Sequence, residues 1–232
     1  MTTKEFSEEF DTLVSSYSAM YSGMSEDLFM FDEYEKSVFL TRAQEDLVKS
    51  LYSGDATLNS FEKTEEVRRY LSTLVHQYTT SKKIDTTDVI DKNSTVFKLS
   101  TEPELWYIVY EGCHIEDSNT CIDGTTLHVV PTAHDDFYKT NNNPFRGSNE
   151  RRVLRIDKGG DEVELVSKYN IKDYTIRYVA KPSPIVLTNL DNINVEGISE
   201  ETDCKLPSSL HDIILTTAVN AAIASRIKTK GK

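Results

Sequence analysis

The spacing of apolar residues changes period twice along this chain, and that constrains its fold more than any other feature. In the first segment Phe6, Phe10, Leu13, Tyr17 and Tyr21 recur at steps of three and four, with acids and serines between them. This is the period of an amphipathic helix. Gly23 and the MSEDLF that follows break the run. A second helix is expected from Asp32, whose side chain can cap it, with the stripe Leu40, Ala43, Leu47 and Leu51 and a stop at Ser53-Gly54. A third carries Val67, Leu71, Leu74 and Tyr78 behind an acidic first turn of Glu62, Glu65 and Glu66.

Beyond Ser81 the period drops to two. Thr, Val, Ile, Tyr and Asn replace helix formers, and short apolar runs are separated by Pro, Gly and Asp. The expected strands are residues 95–99, 105–110, 127–130, 151–156, 162–167 and 174–179. Two of them flank Asp157-Lys158-Gly159-Gly160-Asp161, a loop suited to a hairpin. Tyr174, Ile176 and Tyr178 alternate with Thr175 and Arg177, as in a sheet with two unlike faces. Lys181-Pro-Ser-Pro184 ends the region, because proline cannot donate to a strand ladder.

The helical period then returns. Pro207 and the serines after it open a helix expected from about Ser208 to Arg226. Ile213, Ile214, Leu215, Ala218, Val219, Ala221, Ala222 and Ile223 occupy most of its circumference, so several sides need covering. The small residues Ala218, Ala221, Ala222 and Ala224 permit close helix approach, either to the amino-terminal helices or to a neighbouring subunit. The expected fold class is α+β: amino-terminal helices and a carboxy-terminal helix packed together, with an antiparallel β-rich middle region. The expected organisation is a helical segment 1–82, a β-rich segment 93–190 and the carboxy-terminal helix 206–228, forming one composite domain with a β insertion. There is no internal repeat.

Charge is distributed as unevenly as hydropathy. The net charge is −12, yet residues 1–66 hold 15 acidic and 5 basic side chains, so nearly all of the excess lies there. The last twenty residues contain no acid and end in Arg226, Lys228, Lys230 and Lys232. An acidic surface argues against coating nucleic acid, which needs cations to displace counterions from phosphate. No stretch approaches the ~20 apolar residues that span a bilayer. The start, MTTKEFSEEF, lacks the basic and apolar regions of a secretory signal. Three cysteines are an odd and sparse set, which makes a disulfide framework improbable and favours synthesis in a reducing compartment.

No set of residues in the sequence has the spacing that a known catalytic or metal-binding motif requires. Cys113, His114, Cys121, His128 and His134 fall within 22 residues, but Cys-x7-Cys and His-x5-His match no compact zinc knuckle. His134-Asp135-Asp136 lacks a nucleophile motif and precedes the turn-rich NNNPFRG, which reads as loop. Neither phosphate-cradling glycine motif occurs. Arg151, Arg152 and Arg155 divide between the two faces of a strand and read as a solvated or salt-bridged edge. The expectation is therefore no catalytic residue, no metal and no cofactor.

Three stretches carry a resemblance. YEKSVFLTRAQEDLVKSLYSG with FEKTEEVRRYLSTLV, the loop PTAHDDFYKTNNNPFRG, and KLPSSLHDIILTTAVNAAIASR resemble virion structural proteins of crAss-like tailed phages. The closing LPxxLHxxIxxxAVxxA is similar to the last helix of head-to-tail connector adaptors from short-tailed phages. The resemblance implies a ring of about a dozen copies below the portal, connecting capsid to tail and extending the channel through which double-stranded DNA passes without specific binding. The implied partners are other copies, the portal protein and further ring or tail proteins, in the virion and not in a membrane. The candidate subunit or portal interface comprises Ile214, Ala218, Ala221, Ala222, Ile223, Arg226 and Lys228. The alternatives are another tail or capsid-vertex protein, or a small metal-dependent hydrolase using Cys113, His114, Cys121 or His128.

Overall fold

The computed structural model describes residues 1–18, 30–53, 63–118 and 120–230. In chain order the elements are α1 (Thr3–Ser18), α2 (Glu33–Ser53), α3 (Lys63–Leu71), β1 (Val75–Thr80), β2 (Lys83–Ile84), β3 (Ser94–Lys98), β4 (Leu105–Ile115), β5 (Thr126–Pro131), α4 (Phe137–Asn141), β6 (Arg152–Gly159), β7 (Glu162–Val166), β8 (Ile171–Ala180) and α5 (His211–Lys230). The expectations that rested on Tyr21, Gly23, Gly54, Glu62 and Lys232 lie outside the described residues. Two compact units result, one from residues 1–74 with 181–232 and one from 75–180. The fold is α+β, with helices at both ends and a mostly antiparallel sheet in the middle.

In the helical unit the period-3.6 stripes become the core. Phe6, Phe10 and Val14 of α1 are buried, as are Leu40, Ala43, Val48 and Leu51 of α2, and α5 packs on both helices. Leu47, expected in the α2 stripe, is only half-buried. Asp32 caps α2 as expected: its Oδ1 accepts the Glu35 N–H at 2.7 Å while Glu35 Oε2 accepts the Asp32 N–H at 3.4 Å. This reciprocal pair satisfies two donors that a helix start leaves without partners.

Polar residues of α2 at the same helical spacing do something periodicity does not reveal. Ser37, Thr41 and Gln44 are buried and bind an extended strap that follows the sheet. Thr41 Oγ1 accepts the Ile185 N–H at 3.1 Å and donates to the Ile185 carbonyl at 3.3 Å. Ser37 Oγ accepts the Leu187 N–H at 3.0 Å, and Gln44 Nε2 donates to the Ser183 carbonyl at 2.8 Å. The helix side chains thus replace a partner strand for a segment whose Ile185, Val186 and Leu187 are buried.

The eight strands run in the order β1-β8-β4-β5-β6-β7-β3-β2, all neighbours antiparallel except β5 and β6. All six expected strands are present, shifted by a few residues at their ends. Tyr78, expected on the third helix, instead lies on β1, because α3 stops at Leu71 and a short 3-10 turn over Ser72–Leu74 leads into the sheet. The sheet is rolled. β1 and β2 are opposite edges, yet only Ser81 and Lys82 separate them. Three Cα steps reach at most ~11 Å, whereas seven gaps in a flat sheet total ~34 Å. The edges must curl towards each other, and Tyr78 Oη of β1 indeed accepts the Ser100 N–H just past β3 at 3.4 Å.

Side chains alternate across this curled sheet. Tyr174, Ile176 and Tyr178 point into a core with Phe97, Cys113, Leu127, Val153 and Leu165, all buried. Gly159, Gly160 and Asp161 of the β6–β7 hairpin all take positive φ, which glycine adopts without the Cβ clash. Parallel strands cannot be joined by a hairpin, so β5 and β6 need a crossover. Residues 132–151 supply it. The stretch expected to be only loop contains α4, whose Phe137 is fully buried with Leu154, Ile156 and Val166 on the sheet's other face.

Arg155 is salt-bridged, one of the two alternatives expected of it, but it is neither solvated nor at an edge. β6 is interior to the sheet, and Arg155 shares a face with Val153, so its side chain enters the core. Its Nη1 lies 3.1 Å from Glu111 Oε1 and its Nε 3.3 Å from Asp157 Oδ1, while Tyr174 Oη donates to Glu111 Oε2 at 2.7 Å.

Candidate assembly surface

Helix α5 was expected to be apolar nearly all round, but the structure divides it into two faces. Ile214, Leu215, Ala218, Val219, Ala222 and Ile223 are at most 5% exposed and pack within their own unit. Ala218 and Ala222 present no more than a methyl group, so α5 approaches its neighbours closely. The other face carries Asp212, Ile213, Thr216, Thr217, Asn220, Ala221 and Ala224, all exposed. Of the sequence-derived interface residues, Ile214, Ala218, Ala222 and Ile223 therefore serve the internal core. Ala221 lies outside it, on the same exposed face as Ile213, which is 44% exposed. Ile213 was not among the interface candidates, although the polar residues at 212, 216, 217 and 220 recur at helical spacing and mark that face.

The basic end of α5 is also turned partly inward. Arg226 Nη2 donates to both carboxylate oxygens of Glu35, each at 2.8 Å, and its guanidinium lies 4.9 Å from the centre of the Phe31 ring. A planar guanidinium suits such a carboxylate contact and stacks on an aromatic face as well. This fixes the carboxy-terminal part of α5 to the first turn of α2. Lys228 belongs to α5 by position.

A second polar clamp joins α1 to α2. Lys36 is buried, and its Nζ donates to Asp11 Oδ2 at 2.7 Å, Glu33 Oε1 at 2.9 Å and Ser7 Oγ at 3.0 Å. All three ammonium protons thus have acceptors. Burial opposes the charge, but the hydrogen bonds and charges of Asp11 and Glu33 outweigh it and hold Lys36 above the ordinary lysine range. Part of the acidity of residues 1–66 is consequently structural.

The candidate metal residues do not converge. Cys113 is buried in the sheet core, where burial pushes its thiol up to about 12, while Cys121 and His128 are exposed. His114 lies on the opposite face of β4 and binds Asp173 through Nδ1 at 2.5 Å. His134 Nε2 meets the Asp157 carbonyl at 2.7 Å. Among the described residues no three His, Cys, Asp or Glu side chains are grouped to hold a metal ion. No helix among them is long and apolar enough to cross a membrane.

The arrangement is one of packed helices with an outward face and a rolled sheet carrying an elaborate crossover. Its sequence relationships agree with an assembling part. The family model described as phage tail ring protein 3/4 matches residues 1–232. Among similar proteins, Ring protein 3 of Bacteroides phage crAss001 is 43% identical, across 100% of this chain and 99% of that protein. Ring protein 4/5 of the same phage is 30% identical, across 97% of this chain and 93% of that protein. The chain therefore belongs to the phage tail ring protein 3/4 family and is a structural component of a phage virion.

Proposed function

We propose that copies of this chain form a closed ring below the portal, linking capsid to tail and continuing the channel through which DNA passes. The match to ring proteins over the full chain carries this reading. The outer face of α5, centred on Ile213 and Ala221, meets the portal, with Lys228 and the basic residues around it drawn to acidic portal side chains. Ile214, Ala218, Ala222, Ile223 and Arg226 act one step back, holding that face in place. The acidic amino-terminal region keeps phosphates from adhering, so DNA slides past instead of binding. The chain works by assembly and not by catalysis.

A ring farther down the tail is the second reading, favoured by the word tail in the family's description. Mass measurement of the purified chain, alone and mixed with portal protein, tests the proposal, and microscopy of intact particles decides between the two positions. A chain that stays monomeric alone and with portal protein at every salt concentration refutes ring formation. A ring that never retains portal protein leaves the second reading in its place.

A further inference from the structure

The β5–β6 crossover presents an aromatic side chain that its own chain leaves uncovered. Phe145 is 86% exposed, and Tyr138 on the same connection is 65% exposed. Single exposed apolar residues are ordinary. This one is set apart by how firmly the backbone beneath it is fixed.

Asn143 Oδ1 accepts the Phe145 N–H at 2.9 Å. Arg152 Nη1 donates to the carbonyls of Phe145 and Arg146, at 3.0 and 3.2 Å. The N–H groups of Arg146 and Gly147 both donate to the Asn143 carbonyl, at 3.1 and 2.7 Å. A Cβ at Gly147 would meet the Asn141 carbonyl oxygen at 2.4 Å, so this close approach of two backbone segments requires glycine. Below the tip, Phe137 is anchored in the sheet's second core. A side chain held out by an already ordered loop loses little entropy on binding. Phenylalanine and arginine are both enriched at interfaces relative to the rest of a protein surface.

The charges around the tip indicate what it fits. Residues 138–152 contain Lys139, Arg146, Arg151 and Arg152 against Glu150 alone. A matching surface is apolar at its centre and acidic at its rim. The helical unit carries one on the loop 190–203, which has five acids and no base; Lys181 pairs with Glu196 and Thr3 donates to Glu201, while Asp191, Glu200 and Asp203 are exposed. That loop is also ordered: Val195 and Ile198 exchange both backbone hydrogen bonds, at 2.9 and 3.0 Å, and the Leu190 N–H donates to the Ser199 carbonyl at 2.8 Å. Glu196 and Gly197 take φ of 52° and 87°, the handedness of a tight hairpin turn. Ile193 stands out from it, 49% exposed, with Asp191 exposed beside it.

From these two surfaces we infer that Phe145 of one copy seats against the Ile193 loop of the next copy, with Arg146 and Lys139 meeting its acidic rim. The two surfaces differ, so the contact is head to tail, and repetition about an axis closes a ring. This inference rests on the ring reading above and names the contact that builds the ring.

Sedimentation of the full chain with Phe145→Ser should show assembly needing a concentration about 30-fold higher than wild type, in line with loss of an interface anchor. Its thermal melt should be unchanged, because Phe145 is 86% exposed and contributes little burial within the chain. Arg146→Glu should weaken assembly, and Asp191→Lys in the same chain should restore it. In a Cys121→Ser background, Phe145→Cys with Ile193→Cys, oxidised by dissolved oxygen as the two-electron acceptor with a copper catalyst, should give a ladder of disulfide-linked oligomers on a non-reducing gel, closing at ring size. A Phe145→Ser chain that assembles like wild type, or a double-cysteine ring that yields no ladder, overturns this contact while leaving the ring reading intact. A wild-type chain that never assembles overturns both.

Discussion

Replacing Arg155 with Met tests whether the polar cluster inside the rolled sheet is held together as described. The Arg155 and Glu111 side chains are 10% and 7% exposed, so solvent screens their interaction little. Burial pushes the Glu111 carboxyl above its ordinary range, and the Arg155 charge and the Tyr174 hydroxyl pull it only partly back. Methionine keeps much of the volume but removes the Arg155 cation, leaving Glu111 with the Tyr174 hydroxyl, the weaker influence of His128 and the negative charge of Asp157. Breaking one side of a buried pair costs about 3–5 kcal/mol, and that loss is expected at pH 7. A carboxyl whose folded pKa exceeds its unfolded value contributes most below the unfolded value, near 4.5, and loses that contribution as pH rises through the folded one. Removing Arg155 raises the folded value further. The variant should therefore regain stability relative to wild type as pH falls from neutral towards the ordinary carboxyl value of 4.5.

Guanidinium unfolding followed by Trp106 fluorescence is the direct assay, because this sole tryptophan lies on β4, within the same unit. Adding Glu111→Gln should recover most of the loss, since the buried charge then disappears. A difference below about 1 kcal/mol at pH 7, or one that stays constant over that pH range, would refute the reasoning.

The two faces of α5 predict opposite outcomes for adjacent substitutions. Ala222→Asp should abolish folding by burying an unpaired charge, whereas Ala221→Asp should melt like wild type and lose only assembly, as thermal denaturation and sedimentation would show. Thr41→Val should cost about 1–3 kcal/mol in a denaturant titration, because the Ile185 N–H and carbonyl are left buried without their side-chain partner. Asp32→Ala should cost about 1 kcal/mol in the same titration through loss of the α2 cap. A thiol reagent with mass detection should modify exposed Cys121 rapidly in the native protein and reach Cys113 only on unfolding.

Periodicity by itself determined much of this protein. Steps of three and four placed Phe6, Phe10 and Leu40 on buried helix faces, and alternation placed Tyr174, Ile176 and Tyr178 inside the sheet. Asp32 marked the start of α2 through local chemistry, whereas Pro207 precedes a 3-10 turn over Ser208–Leu210 and α5 itself starts at His211 rather than near Ser208. Such features are legible because each depends on residues within one or two turns. Tyr78 was misassigned because a period-four step from Leu74 fits a helix, while β8, some hundred residues away, offers it a strand partner.

Long-range pairing decided the rest. Whether Arg155 meets water or Glu111 depends on which strands flank β6, and whether α5 is covered on one side or several depends on where α1 and α2 lie. Ser37, Thr41 and Gln44 look like a solvated stripe until the proline-interrupted strap around Ile185 brings backbone groups that need partners. The crossover's Phe145 is a loop residue in sequence and becomes a fixed projection only when Arg152, across the connection, holds its carbonyl. Local sequence sets the period of each element, but burial is a property of pairs distant in the chain, and only the tertiary structure selects those pairs.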